Sequence, residues 1–146
     1  MARHTAIDCH EKRGRRGYLF VIGDEIPYAQ VKRQEVGALL GDRLQTDVPV
    51  EDVVAELRRA YDVYHVLPKM TSNWGNPAVR RRWVELLGQN ALRLEEPAGV
   101  CELIASTIGV AEGKVDLEQL TDDLRDAGAS AAVARAVGRT LAEIAY

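Results

Sequence analysis

Tyr18-Leu19-Phe20-Val21-Ile22, set between Gly17 and Gly23, is the stretch on which the fold turns. Five apolar residues in a row, with no polar alternation, fit a strand covered on both faces, as in a parallel sheet. The run is therefore predicted to lie in the middle of a sheet. Upstream, Ala2 to Lys12 reads as a short helix with Ala6, Ile7 and His10 on one side, ending in the turn Gly14-Arg15-Arg16-Gly17. Downstream, Gly23-Asp24-Glu25 closes the strand, and Ile26 to Val31 reads as irregular before a helix over Arg33 to Leu40.

The same alternation of elements continues along the chain. Pro49 sits at a helix start, and Val50, Val53, Val54, Leu57 and Tyr61 recur at helical spacing, with Glu51, Asp52, Arg58 and Arg59 on the polar side. Val63 to Leu67 is the second strand, stopped by Pro68. Lys69 to Gly75 is a polar loop, Asn76 caps a helix opening at Pro77, and Val79, Trp83, Leu86 and Leu87 form its core face. Ala91 to Leu94 is a third strand. Pro97 opens a helix carrying Val100, Ile104 and Ile108, and Gly109 is read as its end. Strands separated by helices imply crossovers and a parallel sheet. The class is α/β: a Rossmann-like partial parallel sheet of three strands with flanking helices. After Gly113 the pattern changes, and Leu117, Leu120, Leu124, Val133, Val137, Leu141 and Ile144 give a C-terminal helical hairpin around Gly128. This reading divides the chain into an α/β domain over 1–113 and a hairpin over 114–146.

Composition narrows the function classes. The chain has 146 residues, 47% hydrophobic and 28% charged, with a net charge of −3, an ordinary globular balance. This gives no broad electropositive field, although Lys12, Arg13, Arg15 and Arg16 form a local basic run, so nucleic acid is not an expected partner. No apolar run approaches the roughly 20 residues that span a bilayer, and no membrane association is expected. Cys9 and Cys101 read as reduced thiols, and the first residues lack the apolar stretch of a secretory leader, so a cytoplasmic location is expected.

Four segments carry a family resemblance: Arg13-Gly14-Arg15-Arg16-Gly17-Tyr18-Leu19-Phe20-Val21-Ile22-Gly23-Asp24-Glu25, Tyr61-Asp62-Val63-Tyr64-His65-Val66-Leu67-Pro68, Arg81-Arg82-Trp83-Val84-Glu85-Leu86-Leu87-Gly88, and Leu92-Arg93-Leu94-Glu95. In these the chain resembles the C-terminal half of a bacterial von Willebrand factor type A (VWA) domain. The resemblance implies a metal-ion-dependent adhesion site at the carboxyl ends of the strands. The family's third metal motif ends in Thr or Ser, then Asp, then Gly; here Asp24 lies between Gly23 and Glu25. The first motif, Asp-x-Ser-x-Ser, has no counterpart, nor has the threonine of the second. A lone Asp24 holds magnesium poorly, because that ion demands octahedral oxygen coordination. The metal site is thus incomplete, with magnesium expected only if another chain supplies further ligands. The resemblance also implies that the strand Tyr18 to Ile22 pairs with a first strand this chain lacks, leaving an open apolar edge. A protein partner covering that strand is expected, either a second copy or, by resemblance, an AAA+ ATPase complex.

Ligands of open α/β sheets bind beyond the carboxyl ends of the strands, which makes Asp24, Glu25, Thr71, Ser72, Asn73 and Trp74 the expected partner-binding rim. Trp74 suits either a partner contact or a ring folded back over the core. Asp24 reads first as a strand-end acid capping the following loop, and second as a metal or partner contact. His4, Cys9 and His10 match no zinc spacing, His65 reads as a packed histidine, and Arg80, Arg81 and Arg82 as a solvated face. No phosphate loop, dinucleotide fingerprint or serine-hydrolase elbow occurs. The chain is therefore read as a protein-interaction or adaptor module with no catalytic residues. The alternative is a magnesium-dependent phosphohydrolase using Asp24, although the second Asp of a haloacid-dehalogenase-like pattern is replaced by Ile26.

Overall fold

The computed structural model describes residues 7–40 and 45–144. Along them run α1 (Asp8–Glu11), β1 (Gly17–Ile22), β2 (Gln30–Val31), α2 (Arg33–Leu40), β3 (Val48–Pro49), α3 (Val50–Ala60), β4 (Tyr61–Pro68), α4 (Pro77–Leu87), β5 (Ala91–Leu94), α5 (Val100–Ala111), α6 (Leu120–Asp126) and α7 (Ala131–Ala142), with 3₁₀ turns at Gly88–Asn90 and Pro97–Gly99. The fold is α/β, a Rossmann-like partial parallel sheet in the order β1-β4-β5 flanked by helices and followed by the α6–α7 hairpin. The segment 2–6 of the expected first helix, including His4, lies outside the described residues.

The apolar run of β1 does not occupy the middle of the sheet. That place belongs to β4, whose residues are buried almost end to end, while β1 is an edge strand with Val21 40% and Ile22 50% exposed. An unbroken apolar run shows that both faces can be covered but says nothing about how many strands flank it. Ile26 to Val31 is likewise not wholly irregular. Gln30 and Val31 pair antiparallel with Val48 and Pro49 in a small second sheet. This pairing is fastened by Asp47, which accepts bonds from the Arg33 backbone N–H (3.0 Å), Lys32 Nζ (3.1 Å) and Gln30 Nε2 (3.3 Å).

Gly109 does not end its helix. α5 continues to Ala111, and the left-handed residue is Gly113 at φ +64°. Gly109 is needed for proximity instead: its carbonyl accepts from the backbone N–H groups of Lys114 (2.8 Å) and Val115 (3.2 Å), and a Cβ there would lie 2.4 Å from Val115 Cγ2. A helix interior glycine that lets the chain fold back is thus easily mistaken for a stop.

The chain forms two compact units, Met1–Leu19 with Ile26–Val63, and Phe20–Glu25 with Tyr64–Tyr146. The helices α6 and α7 lie in the second unit, together with β5 and the greater part of β4. In the first unit Val36, Val54, Tyr61 and Val63 are buried, and Arg16 pairs with Asp62 at 2.8 Å. In the second, β5 runs parallel to β4 with His65 opposite Ala91 and Leu67 opposite Arg93. Alternation then puts His65, Leu67, Ala91 and Arg93 on one face and Tyr64, Val66, Leu92 and Leu94 on the other. Val66, Leu94, Leu103, Ala134 and Val137 are wholly buried, which makes this the principal core of the unit.

Candidate functional site

The carboxyl end of β1 is fastened through three consecutive residues. Gly23 donates its N–H to the Val66 carbonyl at 3.1 Å, and its own carbonyl accepts from the His65 imidazole. Asp24 Oδ2 accepts from the Asn73 backbone N–H (3.0 Å) and the Ser72 hydroxyl (3.2 Å). The Glu25 carbonyl accepts from Trp83 Nε1 at 3.0 Å. Successive residues of one short segment therefore hold β4, the loop after β4, and α4.

The chemistry of Asp24 follows from those bonds. The Asn73 N–H above all holds its carboxyl below the ordinary value of 3.8; desolvation opposes this, and the Ser72 hydroxyl adds a smaller lowering. It is an ionised acceptor at neutral pH, and one oxygen is already spent on the Ser72–Asn73 turn. Thr71 secures the same turn by donating its hydroxyl to the Pro68 carbonyl at 2.8 Å, and Trp74 N–H returns to the Thr71 carbonyl at 3.2 Å. The loop then enters α4 through Asn76, whose side chain accepts from the Ala78 N–H at 3.0 Å, the expected cap.

Of the residues expected on the rim, Asp24, Thr71, Ser72 and Asn73 are brought together. Trp74 and Glu25 are engaged elsewhere. The Trp74 ring lies 4.0 Å beneath the Arg93 guanidinium, and its carbonyl accepts from Arg93 Nη2 at 3.4 Å. This is the folded-back arrangement, reinforced by a cation–π contact. Glu25 takes part through its backbone, leaving its carboxylate exposed.

His65 is 2% exposed and stacks on Trp83 with ring centroids 3.8 Å apart and 8° between planes. Burial pushes its pKa down to about 4, with the Gly23 carbonyl opposing. It is a neutral packed ring, as read from the sequence. The participants that sequence reading missed are Gly23, Trp83 and Arg93. Trp83 falls on the predicted core face of its helix, and its indole N–H carries no sequence signal of the Glu25 carbonyl it reaches. Arg93 had one available clue, a lone cation between Leu92 and Leu94 in a short strand.

Among the described residues no three His, Cys, Asp or Glu side chains converge as metal ligands. Magnesium takes one or two carboxylates and keeps several waters, whereas one oxygen of Asp24 is already held by the Ser72 hydroxyl and the Asn73 N–H, which fits such a site poorly. The chain matches no protein-family model, and no curated protein or solved structure matches it.

Proposed function

We propose that the chain is a protein-interaction module that captures a strand of another polypeptide along β1. The observation that carries this reading is the unequal treatment of the two sheet edges. At β5, α7 covers the edge: the Thr140 hydroxyl lies 2.7 Å from the Arg93 carbonyl, and Arg139 pairs with Glu95 at 2.9 Å. At β1, no further strand follows in the sheet among the described residues, and Val21 and Ile22 stand exposed. Open, apolar edges are a liability that proteins otherwise blunt, and strand addition is a common use of one that is kept.

The direction of the backbone indicates where the partner would bond. Because the Gly23 N–H turns toward Val66, alternation turns the backbone groups of Ile22 and Phe20 away from β4. Ile22→Pro deletes an outward N–H that the β1–β4 ladder does not use, whereas Val21→Pro deletes an inward one. The AAA+ ATPase complexes that the VWA resemblance suggests are the candidate partners, with a second copy as the other outcome.

The test is affinity capture and sedimentation with the wild-type chain, Ile22→Pro and Val21→Pro, with hydrogen exchange at Phe20 and Ile22. The reading expects Ile22→Pro to stay folded and lose the partner, and both amides to become protected in the complex. A partner held equally by wild type and folded Ile22→Pro, without new protection, sinks it. A phosphohydrolase acting through Asp24 ranks lower. Its carboxylate is spent on positioning a turn, and among the described residues it belongs to no group of three metal-ligating side chains.

A further inference from the structure

At the opposite edge of the sheet, adjoining depressions run over β5 between α4 and α7. One, of about 230 Å³, is walled by Lys69, Arg135 and Arg139 with Glu95 and Glu96. It shares Glu95, Ala136 and Arg139 with the next, which adds Trp74, Arg80, Arg93 and Glu143. The resulting groove carries five cationic and three acidic side chains, an excess of two positive charges in a chain whose formal charge is −3. Arg139 is neutralised by Glu95, whereas no ion pair within 4 Å involves Lys69, Arg80 or Arg135 among the described residues.

Arg93 differs from its neighbours. Its guanidinium is laid on Trp74 and tied to the Trp74 carbonyl, and its Nε is buried with no hydrogen-bond partner. A planar cation fixed on an aromatic ring has already lost the rotamer freedom that binding costs. Trp and Arg in a formed depression are also the residue types that dominate interface energetics.

We infer that this groove binds an extended acidic segment of a partner protein, carboxylates meeting Lys69 and Arg135 at one end and Arg93 and Arg80 at the other. The cations are strung along the groove instead of converging on a point, which suits a chain of separated carboxylates. Glu96 and Glu143 interrupt the positive surface, which disfavours a continuous run of phosphates. This surface is separate from the β1 edge, and either can fail alone.

The test uses the full chain and a fluorescein-labelled oligo-glutamate peptide, read by anisotropy and by tryptophan emission. Saturable binding is expected, weakening as salt shortens the screening length from roughly 14 to roughly 7 Å. Lys69→Glu with Arg135→Glu is expected to weaken it about ten-fold or more. Both residues are exposed and outside any ion pair among the described residues, and a thermal melt confirms that the variant stays folded. Ile22→Pro is expected to bind the peptide as the wild type does, which separates this groove from the β1 reading. Absence of saturable binding overturns the inference, as does unchanged affinity in the folded double variant. Displacement by inorganic phosphate at equal charge concentration also overturns it, since that marks a small-anion site.

Discussion

Acidification should expose the cost of keeping His65 neutral. The ring is 2% exposed, stacked on Trp83, and has its pKa pushed from 6.5 to about 4 by burial. For a base depressed on folding, the unfolded chain takes up the proton first. Stability is therefore retained above pH 6.5 and lost as pH falls toward 4. A shift of this size costs about 2 kcal/mol between pH 7 and 5, at about 1.4 kcal/mol per pKa unit, and about 1 if water partly screens the charge. The assay is urea unfolding at pH 7, 6 and 5, followed by tryptophan emission. Asp24 and Asp47, whose pKa values are lowered, lose their contributions only as pH falls through and below 3.8, so the windows do not overlap. His65→Gln should flatten the slope between pH 7 and 5 while lowering stability at neutral pH through the lost stack. A flat wild-type profile, or an equal slope in the variant, would refute the assignment of that window to this ring.

Three further substitutions probe the framework around the site. Thr140→Val keeps the shape but removes the hydroxyl shared between the Arg93 and Ala136 carbonyls, and should cost about 1–2 kcal/mol in chemical denaturation. Gly109→Ala should destabilise by about 1–3 kcal/mol despite the better helix propensity of alanine, because its Cβ meets Val115 at 2.4 Å; a neutral or stabilising result would show that the turn yields freely. Met70 holds φ +72° with its side chain 90% exposed, so Met70→Gly should raise stability by roughly 0.5–1 kcal/mol, read as a higher melting temperature.

What was legible follows from how local each signal is. The class, the three strands and the hairpin rest on periodicity, which the sequence displays directly, and each is present. The order of strands is not local. Tyr18 to Ile22 and Val63 to Leu67 look alike as apolar runs, and only the pairing of β4 on both sides tells the inner strand from the edge. Gln30–Val31 with Val48–Pro49 escaped because a two-residue pairing has no period, and its fastener Asp47 is remote from Arg33 in sequence.

The rim shows the same limit in its chemistry. Strand ends placed Asp24 near Thr71, Ser72 and Asn73, because the carboxyl termini of parallel strands share one end of a sheet. What that geometry could not supply was direction. Asp24 turns inward to hold the loop, Trp74 turns back under Arg93, and Glu25 contributes a carbonyl where a carboxylate was expected. A change at Asp24 must therefore first be read as loosening the Ser72–Asn73 turn. Loss of partner binding in Asp24→Ala identifies a contact only if Ser72→Ala, which removes one clamp bond and keeps the carboxylate, leaves binding intact. If both lose it together, the partner needs the clamped Ser72–Asn73 loop as a whole, and the loss in Asp24→Ala does not single out its carboxylate as the contact.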